Sequence, residues 1–240
     1  MGDSYGLAAD HCELVGGYRA TAEVISCQSG AEQGAVPDRP ARPVGPPAAV
    51  EGFRQARFGM SEEQVRQAIR QDFPAAAGKL TSAVHPSEKT TVLSLVVADL
   101  QPGTGDARIS YIFGYRSKKL IQINILWSSD GSSAGDETVV GTAASLRDYF
   151  ALETFDLDST VVNRRLDENT ILVFRANDEQ RRTVLLVLSG IPASAPAREK
   201  KGPRSAPLTL ERSYIADAAH PDVFKIGKGQ LFRGADHEGR

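Results

Sequence analysis

Four histidines are the side chains best suited to act as catalytic bases or metal ligands, namely His11, His85, His220 and His237. None lies in a Gly-x-Ser-x-Gly turn or a His-Glu-x-x-His helix, the local patterns of common hydrolases. His220 follows Asp217 by three residues and precedes Asp222 by two, so these three side chains could meet around a metal. A polar turn is the simpler interpretation. The sequence predicts no metal, no cofactor and no catalytic residue.

Aspartates at separate positions in the sequence are a second set of candidate catalytic residues. Asp99, Asp106, Asp130 and Asp136 would support acid–base catalysis if the fold brought them together. Glycine-rich phosphate loops are not indicated, because Gly103-Thr104-Gly105-Asp106 lacks the Lys-Ser/Thr and the helix that such a loop requires. An enzyme with a site built from dispersed carboxylates is therefore kept as an alternative.

Aromatic side chains suggest a binding surface instead. Tyr111, Phe113, Tyr115 and the single tryptophan, Trp127, lie on two consecutive predicted strands. Tyr111 and Phe113 share one face, because side chains alternate along a strand. If that face is open to solvent, these rings could contact a partner. If it is covered by a helix, they belong to the core.

Charge argues against a polyanionic partner for the whole chain. The 240 residues include 28 basic and 30 acidic side chains, a net charge of -2. We therefore expect another protein as the partner and no nucleic acid. No apolar run is long enough for a transmembrane segment. The densest basic run, residues 198–204, could serve a cytoplasmic regulatory protein as a contact loop, but a solvated loop is the simpler interpretation.

The two cysteines, Cys12 and Cys27, lie in an N-terminal segment, residues 1–27, ahead of the main body. A disulfide between them is expected if the protein is exported to an oxidising compartment. Residues 28–50 contain five prolines and predict an extended linker. The chain does not start like a signal peptide, which predicts either a cytoplasmic protein or a leader removed beforehand.

Hydrophobic periodicity predicts the elements of the body. Ser61 with Gln64 forms a capping-box pattern before an amphipathic helix that ends at Pro74. A second helix is expected over residues 142–151, and strands are expected at residues 91–98, 107–115, 120–127, 170–175, 183–188 and 208–215.

This element order predicts an α+β fold with helices packed on one face of an antiparallel sheet. It allows two tandem helix-plus-hairpin modules, residues 51–139 and 140–232, followed by a polar tail, residues 233–240.

The start of the body reads Gly52-Phe-Arg-Gln-Ala-Arg-Phe-Gly-Met-Ser-Glu-Glu-Gln-Val. This segment resembles the opening of BamE-like and β-lactamase-inhibitor-like modules of the bacterial envelope, in which Gly-Met precedes a capped helix and an antiparallel sheet follows. The resemblance covers residues 52–127 and more loosely residues 140–215. It implies an exported, periplasmic or envelope-associated binding module without enzymatic activity. No binding residue follows from it, because the shared pattern is a pattern of fold.

Overall fold

The computed structural model describes residues 46–130, 135–191 and 206–225. All of them belong to one compact unit, Arg42–Arg240. The predicted Cys12–Cys27 disulfide, the N-terminal segment, most of the proline-rich linker, the basic run at residues 198–204 and the polar tail lie outside the described residues.

Eight strands form one continuous antiparallel sheet in the spatial order β3-β4-β5-β6-β10-β9-β8-β7. Their bounds are β3 Thr81–Val84, β4 Thr91–Val97, β5 Ala107–Phe113, β6 Leu120–Ser128, β7 Val161–Asp167, β8 Thr170–Asn177, β9 Thr183–Ser189 and β10 Thr209–Ile215. The six predicted strands are confirmed, with small shifts of their ends. The two strands that the periodicity missed, β3 and β7, are the edges of the sheet.

The remaining elements include a two-stranded ribbon and two α-helices. Strands β1 (Gly52–Phe53) and β2 (Ala56–Arg57) form a small antiparallel ribbon. Helix α1 covers Glu62–Asp72 and helix α2 covers Asp136–Ala151. Helix α2 starts earlier than predicted, because the prediction relied on the apolar residues between Leu146 and Phe150 and missed the buried Val139, which extends the apolar face toward the N-terminus. None of the described helices has the length and apolar character that crossing a membrane requires.

Helix α1 begins as the sequence predicts. Ser61 Oγ accepts a hydrogen bond from the backbone N–H of Gln64, and Gln64 Oε1 accepts one from the backbone N–H of Ser61 at 2.9 Å. These two bonds satisfy amides that a helix start leaves without partners. The helix ends at Asp72, just before Pro74, and it buries Val65 and Ile69 in the core.

The centre of the sheet is the pairing of β6 with β10, in which Ile125 lies opposite Arg212. Four consecutive strands, β3 to β6, lie on one side of this junction, and β7 to β10 lie on the other. The core covers one face of the sheet, which we call the core face. It includes Leu93, Ile109, Ile125, Leu186 and Phe174. The side chains that alternate with these form the outer face.

The predicted fold class is wrong. The described chain is mostly β, with one eight-stranded sheet, one two-stranded ribbon and only two helices, and not a set of helices packed on a sheet. The predicted pair of helix-plus-hairpin modules is replaced by a single sheet that runs through both of them. The physical reason is that β10 pairs with β6 along its whole length, from Thr209 to Ile215, so neither set of four strands ends in a free edge at the centre.

The segment before β1 is attached to the sheet, although it was predicted as the end of a linker. Ala48 and Val50 are buried. The backbone N–H of Val50 donates to Asp178 Oδ2 at 2.9 Å, and Asp178 Oδ1 accepts from the amides of Gln180 and Arg182. The buried carboxylate of Asp178 therefore holds the β8–β9 turn and the start of the body together.

Candidate functional site

Three of the four aromatic residues predicted to bind a partner are core residues. Tyr111 and Trp127 are fully buried, and Phe113 is 1% exposed. The shared face of Tyr111 and Phe113 is thus the covered one, and none of the three rings can contact a partner in the folded protein. Tyr115 is half-buried, packs edge-on against Phe224 and lies under the ammonium group of Lys118.

The carboxylates of the enzyme alternative lie in the connections between secondary-structure elements and at the start of α2. Asp99 accepts hydrogen bonds from the backbone N–H groups of Thr104 and Gly105, so it shapes the turn between β4 and β5. Asp130 is exposed after β6, and Asp136 is in the first turn of α2. Asp106 lies immediately before β5. The four carboxylates thus lie in the β4–β5 connection, after β6 and at the start of α2, and the positions of Asp99 and Asp136 have structural explanations.

The proposed metal-binding trio is not assembled. Asp217 Oδ2 lies 3.6 Å from His220 Nδ1. Asp222 instead accepts hydrogen bonds from the backbone N–H groups of Arg116 and Ser117 in the β5–β6 turn. No group of three potential metal ligands occurs among residues 46–130, 135–191 and 206–225.

The outer face has a regular arrangement that the strand register defines. One row across the sheet contains charged and aliphatic side chains. In spatial order it consists of Val96, Arg108, Leu126, Glu211, Val187, Leu172 and Arg164. The next row is polar and uncharged from β4 to β10, and then contains a leucine on β9 and an arginine on β8. It consists of Ser94, Ser110, Asn124, Ser213, Leu185 and Arg175.

Hydrogen bonds order the polar side of the outer face. The hydroxyls of Ser94 and Ser110 lie 2.9 Å apart across β4 and β5. Gln122 Nε2 donates to Asn124 Oδ1 at 2.8 Å along β6. Such cross-strand and same-strand pairs restrict the side chains before any partner arrives, which lowers the entropy lost on binding.

The aliphatic side of the outer face is separate from the core. Leu172 is 7% exposed but does not belong to the core cluster, and its cross-strand neighbour Val187 is half-buried. Arginines surround this apolar centre, since Arg108, Arg164 and Arg175 are exposed. The one carboxylate in these rows, Glu211, accepts a hydrogen bond from Ser213 Oγ. The surface thus combines an apolar centre with an excess of positive charge at its rim.

The core face contains a charge that the sequence analysis missed. Arg212 is 4% exposed, and its guanidinium lies 5.0 Å from the ring centroid of Phe53, 5.4 Å from that of Trp127 and 5.5 Å from that of Tyr214. Burial lowers the pKa of Arg212, and its Nε and Nη2 have no hydrogen-bond partner in the described part of the chain. Three ring faces offset part of the cost of burying this cation.

Sequence reasoning also missed the arginines of the outer face, although a signal for them exists. Arg108, Ser110 and Ile112 alternate with Ile109, Tyr111 and Phe113 along β5. The alternation correctly groups the aromatic residues on one face. It does not identify which face is covered, because both faces of β5 contain apolar side chains.

Comparison of the chain with protein-family models, with curated proteins and with solved structures gave no match.

Proposed function

We propose that this chain is a non-enzymatic binding protein that recognises another protein through the outer face of its sheet. The observation that supports the proposal is the excess of arginine around an apolar centre on that face. Arg108, Arg164 and Arg175 are exposed there, whereas the single carboxylate of the rows, Glu211, is already hydrogen-bonded. A partner with an apolar centre and an acidic rim complements this surface.

Arginine is well suited to such a role. Its guanidinium forms bidentate hydrogen bonds with carboxylates, and arginine is enriched among the residues that dominate binding energy at interfaces. The aliphatic side chains of Leu126, Leu185 and Val187 supply the apolar contact that a carboxylate-rich rim would surround. Location in the bacterial envelope is the second part of the proposal, and it rests on the resemblance of residues 52–127 to envelope modules.

The test uses a photo-crosslinking amino acid at position 126, which lies on the outer face. We expect one protein with an acidic surface to be captured in cells that express the chain. The matched control places the crosslinker at Leu152, which is 82% exposed directly after α2, the helix whose buried apolar side chains belong to the core cluster. Capture at both positions alike would contradict a specific surface.

A charge reversal sharpens the experiment. Arg108→Glu should abolish the crosslink from position 126, since it places like charge against an acidic rim. The melting temperature should stay near that of the wild type, because Arg108 is exposed. An unchanged crosslink in the reversed variant would reject the electrostatic part of the proposal. Fractionation of the same cells tests the envelope location separately.

A further inference from the structure

A pocket of about 350 Å³ lies between the β8–β9 turn and the segment that follows β10. Arg175 and Arg181 line one side of it, and Asp217 and His220 line the other. The volume falls in the usual range for small-molecule sites, which is about 300–1,000 Å³. Only Arg175 belongs to the rows that define the outer face, so most of the pocket is separate from the protein-binding surface proposed above.

The polar groups of this pocket are mainly hydrogen-bond donors. Asn177 Oδ1 accepts the hydroxyl hydrogen of Thr183 at 2.8 Å, which leaves the amide N–H₂ of Asn177 for other partners. The side-chain amide of Gln180 and the guanidinium groups of Arg175 and Arg181 add further donors. Neither arginine forms an ion pair with a carboxylate in the part of the chain that the structure describes.

The one acidic residue of the pocket is already engaged. Asp217 Oδ1 accepts hydrogen bonds from the backbone N–H groups of Ala219 at 3.0 Å and His220 at 2.9 Å. The hydrogen bond from the His220 amide is the main cause that lowers the pKa of Asp217. The Asp217 carboxylate thus holds the turn at residues 217–220, and its second oxygen is near the His220 ring. It offers no counter-ion to Arg175 or Arg181.

The backbone around the two arginines is fixed. Arg181 has a positive φ of 63° at the tip of the β8–β9 turn, and its backbone N–H donates to the carbonyl of Asp178 at 2.9 Å. Asp178 is itself buried and bonded to the amides of Gln180 and Arg182. Arg175 lies on β8, within the sheet. Both side chains therefore start from rigid positions, which reduces the ordering cost of binding.

We propose that this pocket binds the phosphate group of a small soluble phosphomonoester. Phosphate has several acceptor oxygens and two negative charges near neutral pH, which suit a pocket lined by two guanidinium groups and two side-chain amides. A recess formed by two separate segments of the chain accommodates a small molecule better than the flat surface of a membrane. The site shares only Arg175 with the proposed protein-binding surface, because its lining includes neither the apolar centre of the outer face nor Arg108.

Titration calorimetry tests the site with inorganic phosphate, glucose 6-phosphate and glucose as probes. We expect both phosphate compounds to bind and glucose alone to give no heat. Arg175→Gln and Arg181→Gln should each weaken binding by about tenfold or more, the usual loss for a hydrogen bond to a charged group. Arg108→Gln, an exposed arginine outside the pocket, is the matched control and should leave the dissociation constant unchanged.

Melting curves confirm that the three variants are folded, which is expected because all three arginines are exposed. Absence of phosphate binding at millimolar concentration would overturn the proposal. Equal weakening by all three variants would also overturn it, since that result indicates general charge attraction. Crosslinking from position 126 tests the protein partner in a separate experiment. A negative phosphate titration would therefore leave the proposed function standing, and a failed crosslink would leave the phosphate site standing.

Discussion

The two faces of strand β10 place their charged side chains in opposite environments, one buried and one accessible to solvent. On the core face, Arg212 lies among the rings of Phe53 and Trp127 without a hydrogen-bond partner for its Nε in the described chain. On the outer face, Glu211 of the same strand accepts a hydrogen bond from Ser213 and has exposed arginines in its row. On the core face, aromatic rings contact the buried guanidinium of Arg212 in place of water. On the outer face, the charged side chains remain accessible to a partner.

This difference shows which side of the sheet is built for stability and which for contact. If it is correct, substitutions on the core face change the free energy of unfolding, and substitutions on the outer face change recognition with little effect on unfolding. The following predictions test that division, beginning with the largest expected effect.

Phe113→Ala should destabilise the protein by about 3–5 kcal/mol, because the ring is 1% exposed and its removal leaves a cavity. Urea denaturation followed by the fluorescence of Trp127, the only tryptophan, measures the change. The control on the same strand is Arg108→Ala on the outer face, which should change stability by no more than about 0.5 kcal/mol. Similar losses in both variants would remove the distinction between the faces.

Arg212 separates the effect of volume from the effect of charge. Arg212→Ala should cost about 2–4 kcal/mol, since it opens a cavity among three rings. Arg212→Met keeps most of the volume and removes a buried cation, so this variant should be at least as stable as the wild type. Urea denaturation of both variants is the measurement. A loss in Arg212→Met as large as in Arg212→Ala would show that the ring–cation contacts outweigh the cost of burial.

Tyr111→Phe should leave stability at neutral pH within about 1 kcal/mol, because the buried hydroxyl of Tyr111 has no partner among the described residues. Burial, with a smaller contribution from Asp72, raises the pKa of Tyr111. The unfolded chain releases this proton at a pH of about 10, so the stabilising contribution is complete below that pH and falls as the pH rises further.

The measurement for Tyr111→Phe is the free energy of unfolding as a function of pH. The variant should lose stability less steeply than the wild type above a pH of about 10. Some slope will persist, because burial also raises the pKa of Tyr214. Parallel curves for the two proteins would contradict the assignment of the slope to Tyr111.

The smallest effect is expected from Ser94 and Ser110, whose hydroxyls lie 2.9 Å apart on the outer face. A double-mutant cycle with Ser94→Ala and Ser110→Ala should give a coupling energy of about 0.2–1 kcal/mol. Thermal unfolding of the four proteins measures it. A coupling above that range would mean that the outer face contributes to stability as the core face does.

Local structure could be predicted from this sequence where one interaction decides it. The capping box at Ser61 and Gln64 uses only residues within one turn, and the structure contains both of its hydrogen bonds. The interior strands were predicted because apolar residues recur along them. Strand β7, with Arg164, Arg165 and Asp167, was missed, since an edge strand is exposed and needs no apolar repeat.

The arrangement of the elements and the candidate surface depend on contacts distant in sequence. The pairing of β6 with β10 joins segments separated by α2 and three other strands, so no local sequence pattern indicates it. The predicted fold class was wrong because it did not include this pairing. The burial of Trp127 and Arg212 could not be predicted either. It depends on the pairing of β6 with β10 and on the contact of Arg212 with the distant Phe53. Periodicity groups side chains into faces, but only the assembled sheet decides which face is covered.

The junction between β6 and β10 has a consequence for synthesis on the ribosome. Strand β6 ends at Ser128, and the ribosome must add helix α2 and strands β7, β8 and β9 before β10 exists. Throughout that interval the nascent chain carries β6 with one unpaired edge, which is a template for aggregation. Pairings between distant segments also form slowly, because the intervening chain must first be ordered. A translation pause or truncation before residue 215 would thus leave the edge of β6 unpaired, and chaperones are expected to act on this nascent chain.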